Sequence, residues 1–207
     1  MRVTKLSIAL SLGFLVVACE PRVEEPVPPP RDARPETLGQ EAEGPDPRSR
    51  ARCIHPTEDK PKRSLAREGA DPRCPPDDLE KPPVLREGKA TFTEAKGETV
   101  TLEIAQREHE RARGLMYRKQ MAEDRGMIFL FEQKDVHHFW MHNTCIPLDM
   151  LFVDDDGTIV GIEENAPTMN DSTFSVPCPS RYVIEVNAGY CRRHGVRAGQ
   201  KVKLEGI

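Results

Sequence analysis

The stretch Phe139-Trp140-Met141-His142-Asn143-Thr144-Cys145-Ile146-Pro147-Leu148-Asp149 gathers most of the residue types that could do chemistry. It sets the only tryptophan beside an amide, a hydroxyl and a carboxylate. An aromatic surface with a few convergent polar groups is the make-up of a small-ligand pocket. Strand alternation would put Phe139, Met141 and Asn143 on one face and His138, Trp140 and His142 on the other. The competing reading is a corner: Asn143 and Asp149 would satisfy backbone donors where Pro147 interrupts a ladder, and Trp140 would be core. The candidate ligand-binding set is Trp140, Met141, Asn143, Thr144 and Asp149, with Arg111 and Arg118 supplying charge.

Two further chemistries attach to the same stretch. In a hydrolase, Asp149 would be the acid or base, Asn143 the orienting amide and Arg118 an anion clamp. Two-carboxylate chemistry would need a partner, and Glu163 and Glu185 qualify by type. In a copper or other metal site, His138 and His142 would be the ligands, with Met141 and Cys145 near them. These histidines share a strand face but lie about 13 Å apart at ~3.3 Å per residue. A metal needs its ligands about 2 Å away, so a straight strand cannot make this site alone. His109-Glu110 begins like a zinc-protease helix, but Arg113 stands where the second histidine would be. No phosphate loop or nucleophile elbow is present, and no cofactor is implied.

The elements that must position these residues are short. Val100, Leu102 and Ile104 alternate with Thr101 and Glu103 and predict a half-buried strand over 99–105. A weaker strand over 89–95 precedes it. The pattern from Arg107 to Lys119 predicts a short helix with Ala112, Leu115 and Met116 on its buried face. Met127 to Phe131 is apolar on both faces and predicts a central strand covered on both sides. Strands are expected over 136–143, 147–154 and 158–164, the last two joined by an Asp156-Gly157 turn. A strand over 181–188 turns Tyr182, Ile184 and Val186 inward and Glu185 outward. A short helix over 189–194 closed by Gly195, and a strand over 200–205, complete the chain. The expected fold is mostly β, of the α+β class: a single compact antiparallel β-sandwich or small barrel with two short helices.

Composition confines this domain to residues 89–207. Fifteen of the 19 prolines lie between Glu20 and Gly88, and ten of the eleven aromatics lie after Gly88. A Pro-rich stretch without aromatics cannot bury enough apolar surface to offset its ordering entropy, so 20–88 is expected to be a disordered tether. Residues 1–19 have a basic start, an apolar run from Leu6 to Ala18, and Cys19. The ending Val16-Val17-Ala18-Cys19 resembles a bacterial lipobox, which implies an exported protein acylated on Cys19 and held on a membrane. Glu20 after the cysteine implies the outer membrane, facing the periplasm, or the cell surface. The net charge of −4 speaks against a nucleic-acid partner. Export means an oxidising compartment, so disulfides are expected. With Cys19 acylated, five cysteines remain, an odd number. The expected pairs are Cys53–Cys74 and Cys145–Cys178, leaving Cys191. Spacing also admits a tether cysteine reaching into the domain.

The motifs Arg111-x-x-Gly114-Leu115-Met116-x-Arg118, Asp124-Arg125-Gly126-Met127-Ile128-Phe129, Phe139-Trp140-Met141-His142-Asn143-Thr144-x-Ile146-Pro147-Leu148-Asp149 and Tyr182-Val183-Ile184-Glu185-Val186-Asn187-Ala188-Gly189 resemble those of the domain of unknown function 192 family. Phe152 and Asp156-Gly157 extend the match, which runs over about 90–207. The resemblance implies a compact, mostly β, often exported domain and supplies no reaction. His142 stands where the family usually carries Lys. Cys145 with Cys178 suggests a local disulfide variant. The reading that follows is a membrane-tethered domain, not an enzyme, that binds a small ligand, an envelope glycan or a protein. A structural role is the remaining class; Gly114, Gly126, Pro147 and Gly189 suit it as backbone-geometry residues.

Overall fold

The computed structural model describes residues 52–64, 69–96 and 98–207. The leader and Cys19 lie outside the described residues. No helix among those residues is long and apolar enough to cross a membrane.

Among the described residues, nine strands and two short helices follow one another as β1 (Glu87–Thr91), β2 (Thr99–Ala105), α1 (Glu108–Arg113), β3 (Arg125–Asp135), β4 (Phe139–Met141), β5 (Leu148–Val153), β6 (Ile159–Ala166), β7 (Asn170–Phe174), β8 (Ser180–Asn187), α2 (Tyr190–His194) and β9 (Lys203–Glu205). Seven strands form one sheet in the order β6-β5-β8-β3-β2-β1-β9, and β4 pairs with β7 in a separate ribbon. The fold is mostly β in the α+β class, as the alternation predicts. It is not wholly antiparallel: β2 and β3 run parallel, Leu102 opposite Gly126 and Ile104 opposite Ile128. The crossover that a parallel pair requires is the stretch carrying α1. The sheet stays open, but its edges meet at one end. There Thr158 bridges Lys201, and Val202 N–H donates to Gly157 O at 2.9 Å.

The period-2 pattern sorts the core into two layers. Val100, Leu102, Ile104, Ile128, Leu151, Val153, Ile184 and Val186 line one face of the sheet, with Phe92, Tyr190 and Cys191 over them. Met127, Phe129, Leu148, Met150, Phe152 and Val183 line the other, beneath Leu115, Met141, Phe174 and Val176. Both faces of β3, β5 and β8 are therefore covered. This is the expected environment for the Met127–Phe131 run. It differs from the expectation for β8, where alternation turns Glu185 to solvent; the second layer buries it.

Three local expectations are corrected. The helix over 107–119 ends at Arg113, because Gly114 leaves helical geometry with φ +50°. Its N-terminus is held by Glu110, whose carboxylate accepts from the N–H groups of Gln106 and Arg107 at 3.0 and 2.8 Å. The strand over 136–143 shrinks to β4, and β7 was not foreseen because Asn170-Asp171-Ser172-Thr173 has no apolar alternation. The disulfides are Cys53–Cys178 and Cys74–Cys145, instead of Cys53–Cys74 and Cys145–Cys178; Cys191 is free and buried. The described part of the tether is consequently part of the domain. His55 N–H donates to Val160 O at 2.7 Å, Asp71 N–H to Cys145 O at 2.8 Å, and Ala198 N–H to Thr57 Oγ1 at 2.9 Å. Covalent bridges and hydrogen bonds to β6 and to the loops at Cys145 and Ala198 hold a segment that its composition could not order alone.

Candidate functional site

The predicted cluster divides three ways. Asp149 on β5 is fully buried, and its two carboxyl oxygens accept backbone N–H groups. Asn165 and Gly189 reach Oδ1 at 2.9 and 3.1 Å, and Cys191 reaches Oδ2 at 3.0 Å. These bonds join β5 to β6 and to the start of α2. Burial raises the Asp149 carboxyl above its usual range, while the three donors pull the other way. Asp149 therefore acts as a fold anchor, which agrees with the corner reading and not with a general acid or base open to substrate.

Arg118 makes a two-pronged pair with Glu103 at 2.5 and 2.7 Å. It faces a groove that also holds the Arg125–Glu87 pair. These charges answer one another, so Arg118 is no free anion clamp. Asn143 takes φ +49°, and its amide donates to the Tyr117 hydroxyl at 3.0 Å. Met141 is core. His142 pairs with Asp171 of β7 at 2.7 Å, whereas His138 lines a different feature. Among the described residues no group of three or more His, Cys, Asp or Glu is placed to hold a metal ion.

Trp140, Thr144 and Arg111 do come together. They line a cavity of about 280 Å³ between α1, β3, β4 and β8. Its walls are apolar: Leu115, Met116, Phe129, Phe131 and Phe139. Phe139 meets Phe129 edge-on at 5.0 Å and Phe131 edge-on at 6.2 Å, the preferred geometry for packed rings. Trp140 is 56% exposed and forms the rim. A large indole is thus left open to water beside the cavity.

Charge stands on the rim. Arg111 lies over the Phe131 ring at 5.4 Å and donates to the carbonyls of Gln106 and Leu130. Arg113 is held by Asp77 and Asp78, which the Cys74–Cys145 bridge brings to this side of the domain. Glu108 and His138 complete the rim.

Two lining side chains are buried and polar. Thr144 donates its hydroxyl to His142 O at 3.2 Å. The other is Glu185 of β8, 4% exposed. Among the described residues no hydrogen bond or ion pair reaches its carboxyl. Burial alone pushes its pKa up to about 8, so near neutral pH the carboxyl is mostly protonated. Two glycines shape this region. A Cβ on Gly126 would stand 2.5 Å from Glu185 O, so Gly126 lets β8 close on β3 at this point. A Cβ on Gly114 would crowd the Phe129 ring at 3.2 Å, so the turn after α1 rests on the cavity wall. Type alone singles out Glu185; its place in the cavity could have been inferred from β3. A strand paired with a doubly apolar neighbour is itself covered on both faces, so its outward glutamate is buried.

Known proteins agree with the fold and are silent on chemistry. A crystal structure from Sinorhizobium meliloti 1021, described as a "putative transcription regulator", is 39% identical, with a TM-score of 0.58; the match covers 61% of this chain and 100% of that one. A protein of unknown function from Novosphingobium aromaticivorans DSM 12444 is 36% identical, with a TM-score of 0.54, over 57% of this chain and 86% of that one. No curated protein matches. Residues 90–204, which contain every lining residue of the cavity, fit the family described as an uncharacterized ACR. The chain belongs to this family, domain of unknown function 192.

Proposed function

We propose that this chain is an exported, lipid-anchored envelope domain that holds a small organic ligand in the cavity between Trp140 and Glu185. The observation that carries the reading is one continuous lining: an exposed indole, three phenylalanine rings and a buried carboxyl with no partner. Apolar walls with a few polar groups suit a ligand of modest size. Anchoring rests on the leader and Cys19, and the two disulfides fit an oxidising compartment. The hydrolase reading loses its support because both Asp149 oxygens accept backbone donors away from the cavity. A net charge of −4 gives no reason to bring the regulator description across.

Trp140 is the only tryptophan, so its fluorescence reports on the rim directly. Titration with a panel of envelope saccharides, amino acids, alkyl amines and carboxylic acids should find at least one that shifts the emission and saturates. Trp140→Phe should abolish the signal, and calorimetry should still register the binding. A panel in which nothing shifts the emission or gives heat would refute the pocket reading.

A further inference from the structure

We infer that the ligand of this cavity is a small organic cation, an ammonium group on an apolar stem, with the ammonium seated on the Glu185 carboxylate and the stem along the phenylalanine rings. This rests on the pocket reading above and names its ligand class.

Three features of the site lead there. First, Glu185 is 4% exposed, lines the cavity, and meets no cation or donor among the described residues. Its oxygens are not among the fully enclosed unpaired polar atoms of the described residues, so they open on the cavity, where a bound group can meet them. Second, the charged groups of every neighbouring element are engaged elsewhere or stand at the rim. From α1, Arg113 is paired with Asp77 and Asp78, and Arg111 donates to two carbonyls and lies over Phe131. Glu108 of α1 and His138 before β4 line the cavity at the rim. From β3, Met127 stands opposite Glu185, and from β5, Met150 does; neither titrates. His137, beside Phe131, gives its Nε2 to Ser180 O, and burial lowers its pKa, so it supplies no charge near neutral pH. The carboxyl therefore lacks a resident counter-charge. Third, the walls are Phe129, Phe131, Phe139 and the Trp140 rim, whose ring faces attract a cation once it is out of water. An anion would meet these faces and Glu185 unfavourably. A neutral acceptor would gain a hydrogen bond from the protonated acid but nothing from the rings.

Occupation by an ammonium requires the carboxyl to be ionised, so one proton leaves Glu185 for solvent as the cation arrives. The ammonium keeps its own proton, since an alkyl amine titrates near ~10.4 like a lysine. With the empty-site carboxyl at about 8, the ionised fraction rises about tenfold between about pH 7 and about pH 9, and affinity should follow.

The test uses the full chain, n-hexylamine as probe, and 1-hexanol and hexanoate as shape-matched controls, followed by calorimetry. The expected result is that hexylamine binds at least tenfold more tightly than either control. Its affinity should rise about tenfold over those two pH units. Heats in buffers of different ionisation enthalpy should show about one proton released at the lower pH. Glu185→Gln should lose tenfold or more for the amine and lose the pH dependence, while its binding of 1-hexanol holds. Glu108→Gln and His138→Gln should keep the pH dependence. Equal binding of amine and alcohol, or an amine affinity that Glu185→Gln leaves unchanged, would overturn the inference while leaving the pocket reading intact. Tighter binding of hexanoate, or affinity that falls with pH, would do the same and assign the site to an acceptor. No binding by any of the three, with the wider panel also silent, would sink both.

Discussion

Replacing Glu185 by Gln removes one ionisable proton from the interior and leaves the shape almost unchanged. The folded protein holds that carboxyl at about 8, and the unfolded chain returns it to about 4.5. The folded state therefore binds more protons between these values, so stability falls as pH rises through that window and levels off above about 8. Each unit is worth about 1.4 kcal/mol, so the full loss is about 5 kcal/mol and the loss at neutral pH about 3 kcal/mol. Glu185→Gln cannot show this loss. Its stability relative to the wild type should be unchanged or slightly lower near pH 4, where both side chains are neutral. It should climb steadily to a gain of several kcal/mol near pH 9. Urea unfolding of the two oxidised proteins at four or five pH values measures the difference directly. A stability difference that is flat in pH would show that Glu185 ionises normally in the folded protein, and the account of its burial would be wrong. A group that costs stability at working pH persists where function needs it, so the same result bears on why the site keeps an acid.

Other outcomes follow from the same geometry. Asp149→Ala strands three buried N–H donors at the β5–β6–α2 junction and should cost about 3 kcal/mol or more in urea unfolding. Asp149→Asn should cost less, and any amine binding it retains should keep its pH dependence, because Asp149 is not part of the cavity. Peptide mapping without reductant should recover Cys53 joined to Cys178 and Cys74 joined to Cys145; a Cys53–Cys74 peptide would contradict the arrangement of the whole segment. Reducing either bridge opens a long loop and should cost about 4–5 kcal/mol in chain-entropy terms, seen as a lower urea midpoint. Cys19→Ser should move the protein from the membrane fraction to the soluble envelope fraction, and retention in the membrane would refute lipid anchoring.

The fold was largely legible because its signals are local. Val100, Leu102 and Ile104 alternate, Asp156-Gly157 turns, and Met127 to Phe131 is apolar on both sides; each states its own element. The second core layer was not legible in the same way. It is made by β4, β7, the turn after α1 and the N-terminal segment, which come together only through long-range contacts, two of them covalent. That layer buries Glu185 and separates Trp140 from Asp149, although they stand only nine positions apart in one motif. Composition misjudged residues 52–64 and 69–86 for the same reason. A segment poor in aromatics cannot order itself, but Cys53 and Cys74 order it on a surface built by other residues.

The Cys53–Cys178 bridge also sets where the molecule bears load. Tension applied between the N-terminal side and the C-terminus arrives at Cys53 and crosses at once to Cys178, ahead of β8. The strands β1 to β7 lie inside the covalent loop and off the line of force. The pull runs instead along β8, the strand clamped between β5 and β3 in the middle of the sheet. Glu185 sits on that strand, so in a domain held at its N-terminal end the carboxyl of the cavity lies on the stretch of chain that carries the load, together with α2 and β9.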